Sequence, residues 1–152
     1  MKQYTISESD EIAYPVGRDM TQTIRIVSQM VEQLKKIYKP ETPIQFVVRG
    51  SSGAIISGIA STMMKEYDLK IVHFKKEGES SHSKGASIEL DRKIIIIDDL
   101  ISTGTTVNII YEKILTYDAD LEVDTLCVSG AIFTNRLSFK PNNAIANQIY
   151  ID

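Results

Sequence analysis

The run Ile94-Ile95-Ile96-Ile97-Asp98-Asp99-Leu100-Ile101-Ser102-Thr103-Gly104-Thr105-Thr106 restricts the fold of this chain more than any other stretch. Isoleucines in series, with no polar alternation, describe a strand covered on both faces, as in the middle of a parallel sheet. Two carboxylates follow at the strand's end, then a hydroxyl-rich turn around one glycine, then an amphipathic segment. Gly104 permits backbone angles closed to other residues and lets a ligand approach the chain. Free N–H groups leading into a helix N-terminus form an anion site. The hydroxyls also suit a plain helix cap, and taken alone they do not separate the two readings. The aspartates do. Adjacent carboxylates at the end of a core strand repel and lose solvation, so diol hydroxyls, a divalent cation or a lysine must compensate. Together the strand end and the turn call for a ligand that is both sugar and phosphate. The glycine spacing and the missing Gly-Lys-Ser/Thr ending exclude a Walker loop.

The 152 residues suffice for one domain with a real core, and 43% hydrophobic with 24% charged residues is an ordinary globular mix. A net charge of −3 gives no reason to expect nucleic-acid or membrane-surface binding. Cys127 is the single cysteine, in a strand-like segment, and reads as a core thiol in a reducing, cytoplasmic setting. His73 and His82 are the only histidines, so no metal-spaced Cys/His set exists. The polar start of the chain carries no apolar signal core, and no apolar run reaches membrane-spanning length.

Along the chain, residues 1–20 show no clear period. A helix is expected from Thr21, with Ile24, Val27, Val31 and Leu34 on its apolar face and Ile26, Met30 and Ile37 beside it. Asp19 and Gln22 resemble a capping box, and Pro40 and Pro43 end the helix. Residues 44–48 form a short strand leading into the polar turn Arg49-Gly50-Ser51-Ser52-Gly53. A helix over 54–66 would turn Ile55, Ile59 and Met63 inward. Strands are expected at 69–74, briefly at 87–90, at 94–97, at 121–129 and at the edge at 149–151, with a helix over 107–117. Residues 75–85 form a polar loop long enough to move. Strands alternating with helices give an α/β domain whose sheet is mostly parallel. In such sheets ligands sit at the carboxyl ends of strands, so the turns at 49–53 and 98–106 would open on one edge as one composite site.

The stretch Ile94 to Thr106 resembles the signature of the type I phosphoribosyltransferases: apolar residues, two acids, two apolar residues, then a Thr-Gly-rich loop. The likeness in element order covers about residues 44–130. It implies a Rossmann-like three-layer domain with a mostly parallel five-stranded sheet, spanning 1–152, with a core at about 21–130 and a small hood from about 1–20 and 131–152. It implies binding of 5-phosphoribosyl-1-pyrophosphate. Asp98 and Asp99 would take the ribose hydroxyls, and Ser102, Thr103, Gly104, Thr105 and Thr106 the 5′-phosphate. Arg49, Gly50, Ser51 and Ser52 stand where the family has its pyrophosphate loop. Lys75-Lys76-Glu77 matches the start of the family's flexible catalytic loop, most closely in the orotate branch, with His82 and Lys84 further along. Glu79 and Ser80 depart from that branch, and His82 falls about one place late.

The resemblance further implies Mg²⁺, held mainly through the substrate with Asp98 and Asp99 as protein ligands, a nucleobase as second substrate, and a homodimer. Leu100 would lie under the base, and Arg136 stands near the orotate branch's carboxylate-binding arginine, although its local sequence fits a solvated surface arginine better. Ser102 replaces a carboxylate found in the 6-oxopurine branch. That favours an orotate-like pyrimidine or an adenine-like base as acceptor. Two alternatives stand beside the transferase: a sensor of phosphoribosyl pyrophosphate or nucleotide that has the same fold and little catalysis, and an unrelated sugar-phosphate hydrolase. Neither a spare DNA-binding domain nor a positive net charge supports the sensor.

Overall fold

A computed structural model describes residues 1–6, 19–75, 87–98, 104–128 and 130–151. The main sheet contains β1 (Lys2–Thr5), β2 (Ile44–Val48), β3 (Leu69–His73), β4 (Lys93–Asp98), β5 (Val123–Cys127) and β7 (Asn143–Ala146), in the order β1-β7-β5-β4-β2-β3. Every pairing in it is parallel. A separate two-stranded parallel sheet joins β6 (Ala131–Phe133) to β8 (Gln148–Tyr150).

The isoleucine run explains the layering. Ile95 and Ile97 of β4 pack with Phe46 and Val48 beneath α1 (Met20–Ile37) and α2 (Ser51–Met63). Ile94 and Ile96 face the other way, with Val47, Val72 and the Val107, Ile110 and Ile114 side chains of α3 (Thr105–Leu115). All four isoleucines are buried because each alternate pair meets a different helical layer. The result is the expected three-layer α/β domain.

Several sequence expectations change. The sheet has six strands, not five, and Lys2–Thr5 and Asn143–Ala146, both within the segments assigned to the hood, belong to it. Their pairing is non-local, and β1 is a largely exposed edge strand with little apolar signal. Residues 87–90 are not a strand. Gln45 holds this segment instead, donating from Nε2 to the Glu89 carbonyl at 2.6 Å and accepting the Glu89 N–H at 3.1 Å. Residues 148–150 pair in the small sheet, not at the edge of the main one. On α1, Asp19 caps the helix, accepting from the Gln22 N–H at 3.1 Å, but Ile24 is exposed and Thr23 and Ile26 turn inward. On α2 the inward face is Gly53, Ile56, Ser57 and Ala60, while Ile55 is exposed.

A buried polar knot holds the amino half of the sheet. Asp124 is fully buried on β5 and accepts from the Tyr38 hydroxyl, from the Asn143 N–H at 3.0 Å and from Asn143 Nδ2 at 3.0 Å. Lys93 Nζ stands 3.6 Å away. The knot joins the end of α1 to β4, β5 and β7, which fixes which strands are neighbours.

Candidate functional site

The sheet order contains a topological switch. From β2 the chain moves outward to β3, then crosses back so that β4 lies on the other side of β2, and from β4 it moves outward to β5. The helix after β2 lies on one face of the sheet and the helix after β4 on the other. Their starts therefore part at the carboxyl ends of β2 and β4 and open a crevice there, where open α/β sheets bind ligands. The turn at 49–53 and the end of β4 at Asp98 flank it. The parallel register Ile44↔Lys93 to Val47↔Ile96 makes β2 and β4 leave the sheet on the same edge.

Both helices at the crevice start on glycine. Gly50 is the N-cap of α2 and Gly104 of α3, and neither offers a side chain to the first-turn N–H groups. The N-cap position of each helix is therefore glycine, not Ser or Thr. Gly104 is left-handed at φ 81°, which glycine tolerates without strain. Gly53 allows α2 to lie across both strand ends: a Cβ there would meet Val48 Cβ at 2.9 Å and the Ile97 carbonyl oxygen at 3.3 Å.

Around this crevice, Asp98 is half-buried at the end of β4, opposite Cys127 in register, with its carbonyl accepting from the Val128 N–H at 3.1 Å. Ser51 and Thr105 are exposed, and Ser52 and Thr106 half-buried, each in the first turn of its helix. Arg49 is half-buried, and its Nε has no hydrogen-bond partner among the described residues. Lys75 follows β3 on the same edge. Asp99, Leu100, Ser102, Thr103, Lys76, His82 and Lys84 lie outside the described residues.

Arg136 is exposed, and its guanidinium lies 4.2 Å from the centre of the Phe133 ring, which in turn stacks on Tyr150 at 4.8 Å. Its carbonyl meets the start of α3. Sequence reasoning gave no packing role to three residues that shape this edge. They are Gly53, His73, whose Nε2 lies 2.8 Å from the Arg49 carbonyl oxygen, and Asn108, which bridges α3 to residues 136 and 138. Each acts through contact with backbone distant in sequence, and such contacts leave no local pattern.

A cavity of about 280 Å³ opens at the opposite, amino edge of the sheet, lined by Met1, Tyr111, Val123, Lys140, Pro141 and Asn142 among others. Tyr111 of α3 lines it, but the glycine start of neither helix does. Among the described residues no helix is long and apolar enough to cross a membrane.

No family model and no curated protein matches the chain. Solved structures do. A purine phosphoribosyltransferase from Pyrococcus horikoshii Ot3 superposes with a TM-score of 0.57 at 19% identity, over 99% of this chain and 92% of that one. A hypoxanthine phosphoribosyltransferase from Staphylococcus aureus gives 0.59 at 19% identity, over 93% and 80%. An adenine phosphoribosyltransferase from Rhodothermus marinus gives 0.56 at 16% identity, over 85% and 80%. At such identities the likeness is one of architecture: this chain has the fold that these phosphoribosyltransferases share.

Proposed function

We propose that the protein is a type I phosphoribosyltransferase, transferring the 5-phosphoribosyl group from phosphoribosyl pyrophosphate to a nucleobase. The observation that carries this reading is the pair of glycine-started helices parting at the switch between β2 and β4, with Asp98 at the strand end between them. Two helix N-termini with glycine at the N-cap suit a ligand with two separate phosphate groups, and the carboxylate suits the diol between them. The shared fold agrees with it.

In this reading the start of α3, with Gly104, Thr105 and Thr106, anchors the 5′-phosphate. Asp98 and Asp99 hold the ribose hydroxyls. Arg49, Gly50, Ser51 and Ser52 receive the pyrophosphate, and the unpartnered Arg49 Nε–H finds its acceptor there. The C1–O bond to pyrophosphate breaks as a ring nitrogen of the base forms the new C1–N bond. The chain's work is to hold the donor in line and to stabilise negative charge on the leaving group. A half-buried carboxylate at a strand end is a hard oxygen donor of the kind Mg²⁺ accepts while keeping substrate oxygens and waters. When bound, the ion would neutralise the pyrophosphate, with Asp98 and Asp99 as the protein's ligands. Lys75, Lys76, His82 and Lys84 belong to a loop that closes over the donor and adds positive charge.

The acceptor proposed is an orotate-like pyrimidine or an adenine-like base, because the hydroxyl of Ser102 stands where the 6-oxopurine branch has a carboxylate. A panel of nucleobases with labelled phosphoribosyl pyrophosphate and Mg²⁺ tests both levels. Pyrophosphate release with orotate, uracil or adenine is expected. Turnover of hypoxanthine or guanine alone would overturn the acceptor class. Donor binding without turnover on any base would replace the transferase by the sensor.

A further inference from the structure

His73 closes β3 in register with Val48, and the ladder continues one step as the Phe74 N–H donates to the Val48 carbonyl at 2.8 Å. From there the imidazole reaches into the neighbouring turn, with Nε2 2.8 Å from the carbonyl oxygen of Arg49. A carbonyl oxygen only accepts, so Nε2 carries the proton and donates. The peptide held in this way is the one that leads into α2. Its next residue, Gly50, has no side chain to restrict the backbone or to cap the helix. Such a peptide turns at little cost unless something outside the turn grips it. Beside it, the Nε of Arg49 is buried without an acceptor among the described residues, a costly arrangement that an anion relieves.

We infer that His73 is a positioning residue for the anion end of the crevice: by holding the Arg49 carbonyl from β3, it presets the first peptide of α2 and the root of the Arg49 side chain for pyrophosphate. The inference rests on the assignment of 49–53 as the pyrophosphate turn. Its physical content is preorganisation. A turn already held in place does not spend binding energy on ordering itself when the ligand arrives.

Calorimetry on the full chain tests it with two probes in Mg²⁺, inorganic pyrophosphate for the turn at 49–53 and ribose 5-phosphate for the start of α3. His73→Ala is expected to weaken pyrophosphate about tenfold, the worth of one hydrogen bond, and to leave ribose 5-phosphate within about twofold. His73→Gln, whose amide nitrogen reaches the same place as Nε2, is expected to restore most of the loss, and His73→Asn, one bond shorter, is not. The Gln and Asn variants carry the comparison if the alanine variant fails to fold. Unchanged pyrophosphate affinity in His73→Ala overturns the inference while the turn assignment stands. Equal weakening of both probes overturns it as well, since that marks a general loss of structure. A wild-type chain that ignores pyrophosphate overturns both the inference and the assignment beneath it.

Discussion

The backbones of Gly104 and Arg136 meet so closely that a Cβ built on Gly104 would stand 2.5 Å from the Arg136 carbonyl oxygen. Asn108, one turn into α3, fastens the same junction. Its Nδ2 donates to the Arg136 carbonyl at 3.0 Å, and its Oδ1 accepts the Ser138 N–H at 2.8 Å. The start of α3 is thus joined to the segment that follows β6. The small sheet built from Ala131–Phe133 and Gln148–Tyr150 is therefore carried on the same helix end that is proposed to hold the 5′-phosphate.

Gly104→Ala should be among the most damaging single changes. It places a Cβ against a carbonyl oxygen and forces a left-handed conformation on alanine. A loss of at least about 2 kcal/mol in urea unfolding is expected. A loss below about 0.5 kcal/mol would mean that the junction relaxes freely.

Asn108→Ala removes both hydrogen bonds of the junction and leaves the Arg136 carbonyl and the Ser138 N–H to water. The expected cost is about 1–2 kcal/mol, because the contacts are partly exposed. Asn108→Asp keeps the acceptor for Ser138 and loses the donor to Arg136, so it should not recover wild-type stability. Equal stability of Asn108→Asp and wild type would show that the Arg136 bond contributes nothing.

The double change Asp98→Asn with Asp99→Asn tests the ribose assignment. Charged acceptors hold hydroxyls more strongly than amides do, so affinity for phosphoribosyl pyrophosphate should fall at least about tenfold in calorimetry. Unchanged affinity would remove the aspartates from the donor site.

Tyr38 sets a prediction in alkaline solution. Burial, and then the Asp124 carboxylate beside it, hold its hydroxyl well above the ordinary tyrosine value. Below pH of about 10 the phenol is neutral in both folded and unfolded chains, and its contribution is complete. Above that the unfolded chain releases the proton that the folded chain keeps, so stability falls as pH rises, by up to about 1.4 kcal/mol per pH unit for this one group. Denaturation midpoints between about pH 9 and 11.5, the range that spans the ordinary tyrosine pKa, should therefore fall less steeply in Tyr38→Phe than in wild type. Tyr67, also pushed up by burial, remains in the variant, so the slope is reduced rather than abolished. Parallel slopes would remove Tyr38 from the account.

The site was legible where the chemistry is local. Asp98 and Gly104 lie within one stretch whose pattern already states strand, acid and turn, and Arg49-Gly50 follows the next clearest strand. The two helix faces were less legible. The inward side of α2 carries Gly53, Ser57 and Ala60, chosen for close approach to the sheet, so the larger Ile55 drew the apolar count to the wrong side. Thr23 is buried on α1 for a similar reason: its hydroxyl finds the Asp19 carbonyl at 2.8 Å within its own helix and needs no solvent.

By itself the amino-acid sequence determined which segments become strands covered on both faces, where the chain turns through glycine, and that carboxylates and a hydroxyl-rich, glycine-bearing stretch follow the strand at 94–97. Those properties depend on neighbours a few residues apart. The tertiary structure alone decided that Lys2–Thr5 and Asn143–Ala146 complete the sheet, that β2 and β4 lie side by side with their helices on opposite faces, and that His73 and Asn108 grip backbone 24 and 28 residues away. The reason is that strand neighbours are chosen by contacts across the whole chain, such as the buried Asp124 knot, and no local pattern of residue types records them.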